Sequence, residues 1–310
     1  MKLLADALKP GDTIGLVSPS NTIDDDEDYQ AIEQSIKWAE SQGLRVVKGK
    51  YFGINKTGYG LTGKQKAEEL NEMFANKDVK AIFAVRGGEN SNAAFDYLDW
   101  ETIKNNPKII MGFSDTTSLL NEINYQTGLV TFSGPTFKRL YESEYSKKSV
   151  VDRLINKDLK LATEEDYSEC EVIREGKAEG ELVGSNLTLT SDLIFGKYKI
   201  DFKDKILVME DLGWESIPGI VSHNLYKMRA EGIFDEIAGI WIGNYESDSG
   251  ITLEQILMDT LADVEFNKPI IKTNNFGHSD KNQVVPIGVK AVIDTTAEKP
   301  YIFLQENCLN

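Results

Sequence analysis

Five short runs, each apolar or β-branched almost throughout, recur in the first half of the chain: TIGLVS (13–18), LRVVKG (44–49), KAIFAV (80–85), KIIMGF (108–113) and LVTFSG (129–134). Stretches with helical spacing separate them, at 29–40, 63–75, 91–99 and 115–125. A run that is apolar at successive positions, not every second one, suits a strand covered on both faces. Alternation of such strands with helices predicts a parallel sheet with helices on both sides. Ligands of these sheets bind beyond the carboxyl ends of the strands. Here those ends read VSPSN (17–21), VRGGENSN (85–92) and GFSDT (112–116). Each is rich in Gly, Ser or Asn, so backbone amides can approach a ligand closely. Three polar loops on one sheet edge predict one cleft.

The segment 136–180 is charged and weak in strand signal until Glu171. Apolar runs then resume at 180–196, 205–211, 237–245 and 268–274, with helical stretches around 220–231 and 253–264. Strand-like QVVPIGVKAVIDTT and PYIFL close the chain. The fold class expected is α/β, in two domains. An N-terminal domain spans 1–135, a helical crossing segment 136–170, and a second α/β domain with a β-rich end 171–310. A chain of 310 residues has room for two cores of ordinary size.

The formal net charge of −16 argues against nucleic acid and against an anionic membrane surface, since both repel an acidic protein. Two cysteines, Cys170 and Cys308, stand in no metal-ligand or CxxC spacing, which suits a reducing compartment. The N-terminal run lacks the length of a signal-peptide core, and no stretch approaches a membrane span. A cytoplasmic location is the expectation.

Ser114 follows an apolar run and precedes a helical stretch. Strand–Gly–X–Ser–helix is the context of a nucleophile elbow, in which a tight turn lifts the hydroxyl from the sheet edge. The sequence is Gly112-Phe113-Ser114-Asp115-Thr116, with Thr116 where a second Gly usually allows close packing. A helix starting slightly farther from its strand is therefore expected. The plain alternative is a helix N-terminus, with Ser114 as cap and Asp115 complementing the dipole. A nucleophilic serine needs a base, and the chain has two histidines. His223 lies in a polar helical stretch and suits a surface position. His278 lies in TNNFGHSDKN, a loop directly after an apolar run, and is the better candidate. The base needs an orienting acid. Glu210 and Asp211 end the apolar run KILVMED, where an acid is partly desolvated. Asp211 has a plain alternative as cap of the following helix. Gly87 and Gly88 can present an amide across from that of Asp115, although G-G-x-N lacks the GxGxxG spacing and the lysine of a phosphate loop. Two histidines leave little with which to build a zinc site.

Taken in order, VSPS, VRGGENSN, NPKIIMGFSDTTSLL, GLVTFSGP, GELVGSNLTL, ILVMEDLG, GIWIGNY and NNFGHSDKNQVVPIGVKAVID resemble the LD-carboxypeptidases. This serine peptidase family includes the microcin C immunity peptidases. The resemblance runs from about Gly11 to Asp294. It implies a flavodoxin-like N-terminal domain carrying the nucleophile and a C-terminal domain of swivelling type carrying acid and base, with the active site between them. It also implies a homodimer and no cofactor or metal. Matched by motif, Ser114 is the nucleophile, Glu210 the acid and His278 the base, and the amides of Gly88 and Asp115 form the oxyanion hole. Phe113 stands where the family usually has Tyr.

The substrate implied is a murein tetrapeptide from which terminal D-Ala is released, or else a peptidyl or aminoacyl nucleotide of the microcin type, to whose branch GGENSN is closer. Arg86 and Asn90, in the loop of Gly88, are candidates to hold the substrate, Arg86 through a carboxylate. Trp214 is a candidate to stack a nucleobase. A reading of another class keeps Ser114 as a cap in a non-catalytic protein that binds a peptide or nucleotide.

Overall fold

The computed structural model describes every residue except Met1, Asp24, Lys56, Ala162, 213–216 and Glu246. The chain divides into two compact units. The first comprises Met1–Asp158, Gln283–Pro286 and Cys308–Asn310, and the second Leu159–Asn282 and Ile287–Asn307.

In the first unit the apolar runs form β1 (Thr13–Val17), β2 (Arg45–Lys48), β3 (Val79–Ala84), β4 (Ile109–Gly112) and β5 (Thr131–Ser133). They pair in parallel in the order β2-β1-β3-β4-β5. This is the flavodoxin-like order, whose switch point lies between β1 and β3. Continuous burial along β1 and β4 matches strands covered on both faces. The helices are α1 (Asp26–Ser41), α2 (Gly63–Ala75), α3 (Trp100–Asn105), α4 (Thr116–Thr127) and α5 (Glu144–Val150). Asp25 caps α1, and Thr62 with Gln65 closes a capping box on α2. The helix expected over 91–99 is instead a 3-10 turn, Ser91–Tyr97. Asp99 then caps α3 by accepting the amide of Thr102 at 3.0 Å, and a new cap marks a new helix start.

The second unit holds α6 (Glu164–Ser168), β6 (Glu171–Arg174), β7 (Lys177–Asn186), α7 (Leu187–Ser191), β8 (Ile206–Glu210), α8 (Pro218–Ala230), α9 (Ile233–Glu236), β9 (Gly239–Ile242), α10 (Leu253–Thr260) and β10 (Ile270–Lys272). Beyond β11 (Val285–Ile287), which joins the first sheet beside β5, come β12 (Lys290–Asp294) and β13 (Tyr301–Leu304). The second sheet runs β13-β12-β7-β8-β9-β10-β6. Its centre, β7 to β10, is parallel, and antiparallel strands flank it. This is the mixed α/β unit with a β-rich end expected from sequence. The helix expected over 253–264 stops at Thr260. No helix among the described residues is long and apolar enough to cross a membrane.

One buried acid braces the first sheet. Glu69 of α2 accepts the amide of Ser18, after β1, and that of Tyr51, beyond β2, each at 2.8 Å and on separate oxygens. Burial pushes its carboxyl above the usual range, while the two amides oppose the shift. A glutamine offers one acceptor oxygen and faces the other amide with an NH2 group. Glu69→Gln is therefore expected to destabilise the unit by about 1–3 kcal/mol. A lower urea midpoint at unchanged slope checks it.

Candidate active site

The first cluster lies at the carboxyl edge of the first sheet, beside its switch point. Between β4 and α4 the chain turns through Ser114, whose φ of +62° is left-handed. Such a conformation costs a non-glycine residue on the order of 1 kcal/mol and persists only where its surroundings impose it. A Cβ on Gly112 would lie 2.4 Å from Thr116 Oγ1 and 3.1 Å from Ala84 Cβ. Gly112 thus accommodates the bulk of Thr116, and the Thr116 hydroxyl donates to the Phe113 carbonyl at 3.0 Å. Close packing at this elbow comes from the glycine before the serine. The Thr117 amide donates to the Ser114 carbonyl at 2.8 Å and closes the first turn. Asp115 occupies the cap position of α4, but its side chain does not cap the helix.

The Gly-Gly loop after β3 lies against this turn. A Cβ on Gly87 would sit 3.1 Å from Ser114 Cβ and 3.4 Å from its Oγ. Gly88, at φ +131°, lies so close to Asn21 that a Cβ would fall 2.2 Å from its Cγ. Asn21 donates its amide to the Gly87 carbonyl at 3.3 Å, and its side-chain oxygen accepts the Glu89 amide at 3.1 Å. Among the described residues neither the Gly88 nor the Asp115 amide hydrogen has an acceptor. Arg86 is engaged by the buried Asp28 at 2.5 Å, and Lys138 pairs with the same carboxylate. Asn90 adopts a left-handed backbone, and its carbonyl accepts from Lys66 at 2.9 Å.

The second cluster lies at the carboxyl ends of β7 to β10. Glu210 ends β8 with its side chain 0% exposed, and its Oε2 is 2.7 Å from His278 Nδ1. The His278 ring is 12% exposed. Asn186 is the register partner of Glu210. Its side-chain amide donates to Glu210 Oε1 at 3.3 Å and to Asp211 Oδ1 at 3.2 Å. Asp211 does not cap the helix that follows it. It caps the start of α7, accepting the amide and hydroxyl of Thr188 at 3.1 and 2.7 Å. The His278 loop is held through Phe276, which packs on Trp241 with ring centroids 4.5 Å apart. A Cβ on Gly243 would lie 2.5 Å from the Phe276 ring, so Gly243 makes the room. The Asn244 amide donates to the Phe276 carbonyl at 2.8 Å.

His223 is exposed on α8. Trp214 lies outside the described residues. Sequence reasoning missed Ser20, Lys66, Ser91 and Asn186, all buried polar residues at or behind these strand ends. The signal available for Asn186 was a polar residue ending an apolar strand. Lys66 had none, since it reads as an ordinary helical lysine.

Chemically, the second cluster is an imidazole oriented by a fully buried carboxylate, the arrangement of a general base. The first is a half-buried hydroxyl at the sheet edge beside two amides without acceptors, the arrangement of a nucleophile with an oxyanion site. A short Nδ1–H···carboxylate bond should give a downfield imidazole proton in the NMR spectrum. It is expected to vanish in Glu210→Ala and to persist in His223→Ala, which assigns it to His278.

Comparison with known proteins gives these clusters a family context. Residues 14–134 match the family model of the LD-carboxypeptidase N-terminal domain, and 179–293 that of the C-terminal domain. The chain is 32% identical over 304 residues to a probable murein peptide carboxypeptidase of Bacillus subtilis, covering 94% of this chain and 92% of that protein. It is 29% identical to the microcin C7 self-immunity protein MccF of Escherichia coli, over 94% and 93% of the two chains. Among solved structures, an MccF-like protein of Bacillus anthracis superposes with a TM-score of 0.85 at 29% identity, over 97% and 99% of the chains. MccF in complex with aspartyl sulfamoyl adenosine superposes with a TM-score of 0.89 at 26% identity, over 99% and 100%. With both of its domains matched by the family's models, the chain belongs to the LD-carboxypeptidase family of peptidases.

Proposed function

We propose that the protein is a serine peptidase of the LD-carboxypeptidase type, with Ser114 as nucleophile, His278 as base and Glu210 as the acid that orients it. The reading rests above all on the Glu210–His278 hydrogen bond of 2.7 Å, because only two histidines are present and the other is exposed on a helix. His278 takes the Ser114 proton as Ser114 attacks the substrate carbonyl. Glu210 fixes the ring and stabilises the imidazolium. The amides of Gly88 and Asp115 receive the oxyanion, His278 returns the proton to the departing amine, and water resolves the acyl-enzyme.

The substrate proposed first is a murein tetrapeptide, with D-Ala as the departing amine. This follows the B. subtilis relative's name, a murein peptide carboxypeptidase. Arg86 gives one bond to Asp28 and has further guanidinium donors, so it remains the proposed partner of the terminal carboxylate, with Asn90 beside it. A second reading, cleavage of a peptidyl or aminoacyl nucleotide, is favoured by the MccF neighbours, one of them bound to aspartyl sulfamoyl adenosine. Trp214 is its proposed base-stacking residue.

Ser114→Ala is expected to lower turnover at least about 10³-fold with an unchanged circular dichroism spectrum. A fluorophosphonate should label the wild type at Ser114. Full activity in Ser114→Ala, or absence of labelling together with tight ligand binding, would favour the non-catalytic binder. Hydrolysis rates of the tetrapeptide and of an aspartyl nucleotide, measured side by side, decide between the substrates.

A further inference from the structure

The side chain of Asp115 has no part in the mechanism above, which uses only its backbone amide. An aspartate at a helix start ordinarily turns back to cap its own helix. Asp115 does not. It is 3% exposed, and its Oδ2 accepts the Ser20 hydroxyl at 2.5 Å and the Ser91 amide at 2.9 Å. Its main-chain carbonyl accepts the Ser91 hydroxyl at 2.7 Å. Ser20 follows β1, Ser91 ends the Gly-Gly loop after β3, and Asp115 follows β4. One residue therefore ties together the three loops at the carboxyl edge.

Lys66 completes the tie. Its ammonium donates to the carbonyls of Glu89 at 3.2 Å and Asn90 at 2.9 Å, although the residue is only 1% exposed. Burial pushes the Asp115 carboxyl up and the Lys66 ammonium down, and each charge opposes the shift of the other. Polar groups this deep are retained only where their bonds are satisfied. Here the bonds converge on the two loops that carry the acceptor-free amides of Gly88 and Asp115.

We propose that Asp115 is a positioning residue, whose buried carboxylate sets the separation of the Gly88 and Asp115 amides by locking Ser20 and Ser91 to the Ser114 turn. The proposal deepens the serine-peptidase reading and rests on it. A tetrahedral oxyanion gains from two donors only when both are held at hydrogen-bond distance from where it forms. Releasing the tie should weaken that step and leave ground-state binding in place.

Phosphonylation of Ser114 by a fluorophosphonate tests this without a known substrate. Ser114 oxygen displaces fluoride at phosphorus, its proton leaves to the base, and negative charge develops on the phosphoryl oxygen. The maximal rate of inactivation is expected to fall about 10²-fold in Asp115→Ala, the scale of a lost oxyanion donor. The reagent's apparent binding constant should stay within about twofold. Ser20→Ala should lose about tenfold, and Asp115→Asn, which keeps one acceptor oxygen, should recover part of the loss. Rates are taken per folded molecule, with the urea midpoint measured on each variant. If Asp115→Ala does not fold, Ser20→Ala and Asp115→Asn carry the test. Wild-type inactivation rates in the folded variants, with lowered midpoints alone, would overturn the positioning role and leave Ser114 as nucleophile. Failure of the wild type to label would instead count against the serine-peptidase reading itself.

Discussion

The left-handed backbone of Ser114 is the constraint around which the first unit is arranged. A serine at φ +62° relaxes unless its neighbours leave it no alternative. Three supply that restraint. Gly112 lets Thr116 fold onto the strand end, Gly87 lies against the serine's own side chain, and Asp115 is bonded on both its carboxylate and its carbonyl. Gly87, Ser20 and Ser91 would be out of reach if β1, β3 and β4 were not adjacent and parallel, since only then do their carboxyl ends share one edge.

The second unit solves a similar problem with the same geometry. Its parallel strands β7 to β10 bring Asn186, Glu210, Asn244 and the His278 loop to one edge. Here the constraint is charge burial. Glu210 has no exposure, and a carboxylate removed from water requires donors. Asn186 and His278 face its two oxygens. The neighbouring Asp211 is spent on the start of α7 and on Asn186, so it acts on Glu210 through a shared amide. The two adjacent carboxylates take different tasks because β8 ends at Glu210, and Asp211, the next residue, turns to the amide and hydroxyl of Thr188.

Much of this was legible in the residues. The five apolar runs marked β1 to β5 to within two residues at either end, because each is a short block of apolar and β-branched residues set between polar loops and helical stretches. Ser114, Glu210 and His278 stood out because each ends or follows such a run and because histidine is scarce. The 3-10 turn at 91–97 has helical spacing in the sequence, since the spacing of apolar residues differs little between the two over seven residues. The plain alternative for Asp211, a helix cap, holds, but for α7, the helix before it in sequence, and not for the one after. Capping across a sheet edge leaves no mark in local spacing.

The sequence by itself determined the class of fold, the identity of the strand-end loops and the chemical types available to them. Periodicity and burial are local properties and can be read residue by residue. Tertiary structure alone decided which polar residues are bonded to which. Lys66 lies on α2 and is buried under the Gly-Gly loop. Ser20 and Asp115 are 95 positions apart and share a hydrogen bond, and Glu210 meets His278 across 68. Such pairings come from the order of strands in a sheet, which no stretch of chain encodes alone. Asp115 therefore reads in the sequence as a first-turn acid complementing the helix dipole and is, in the folded chain, the tie between three loops.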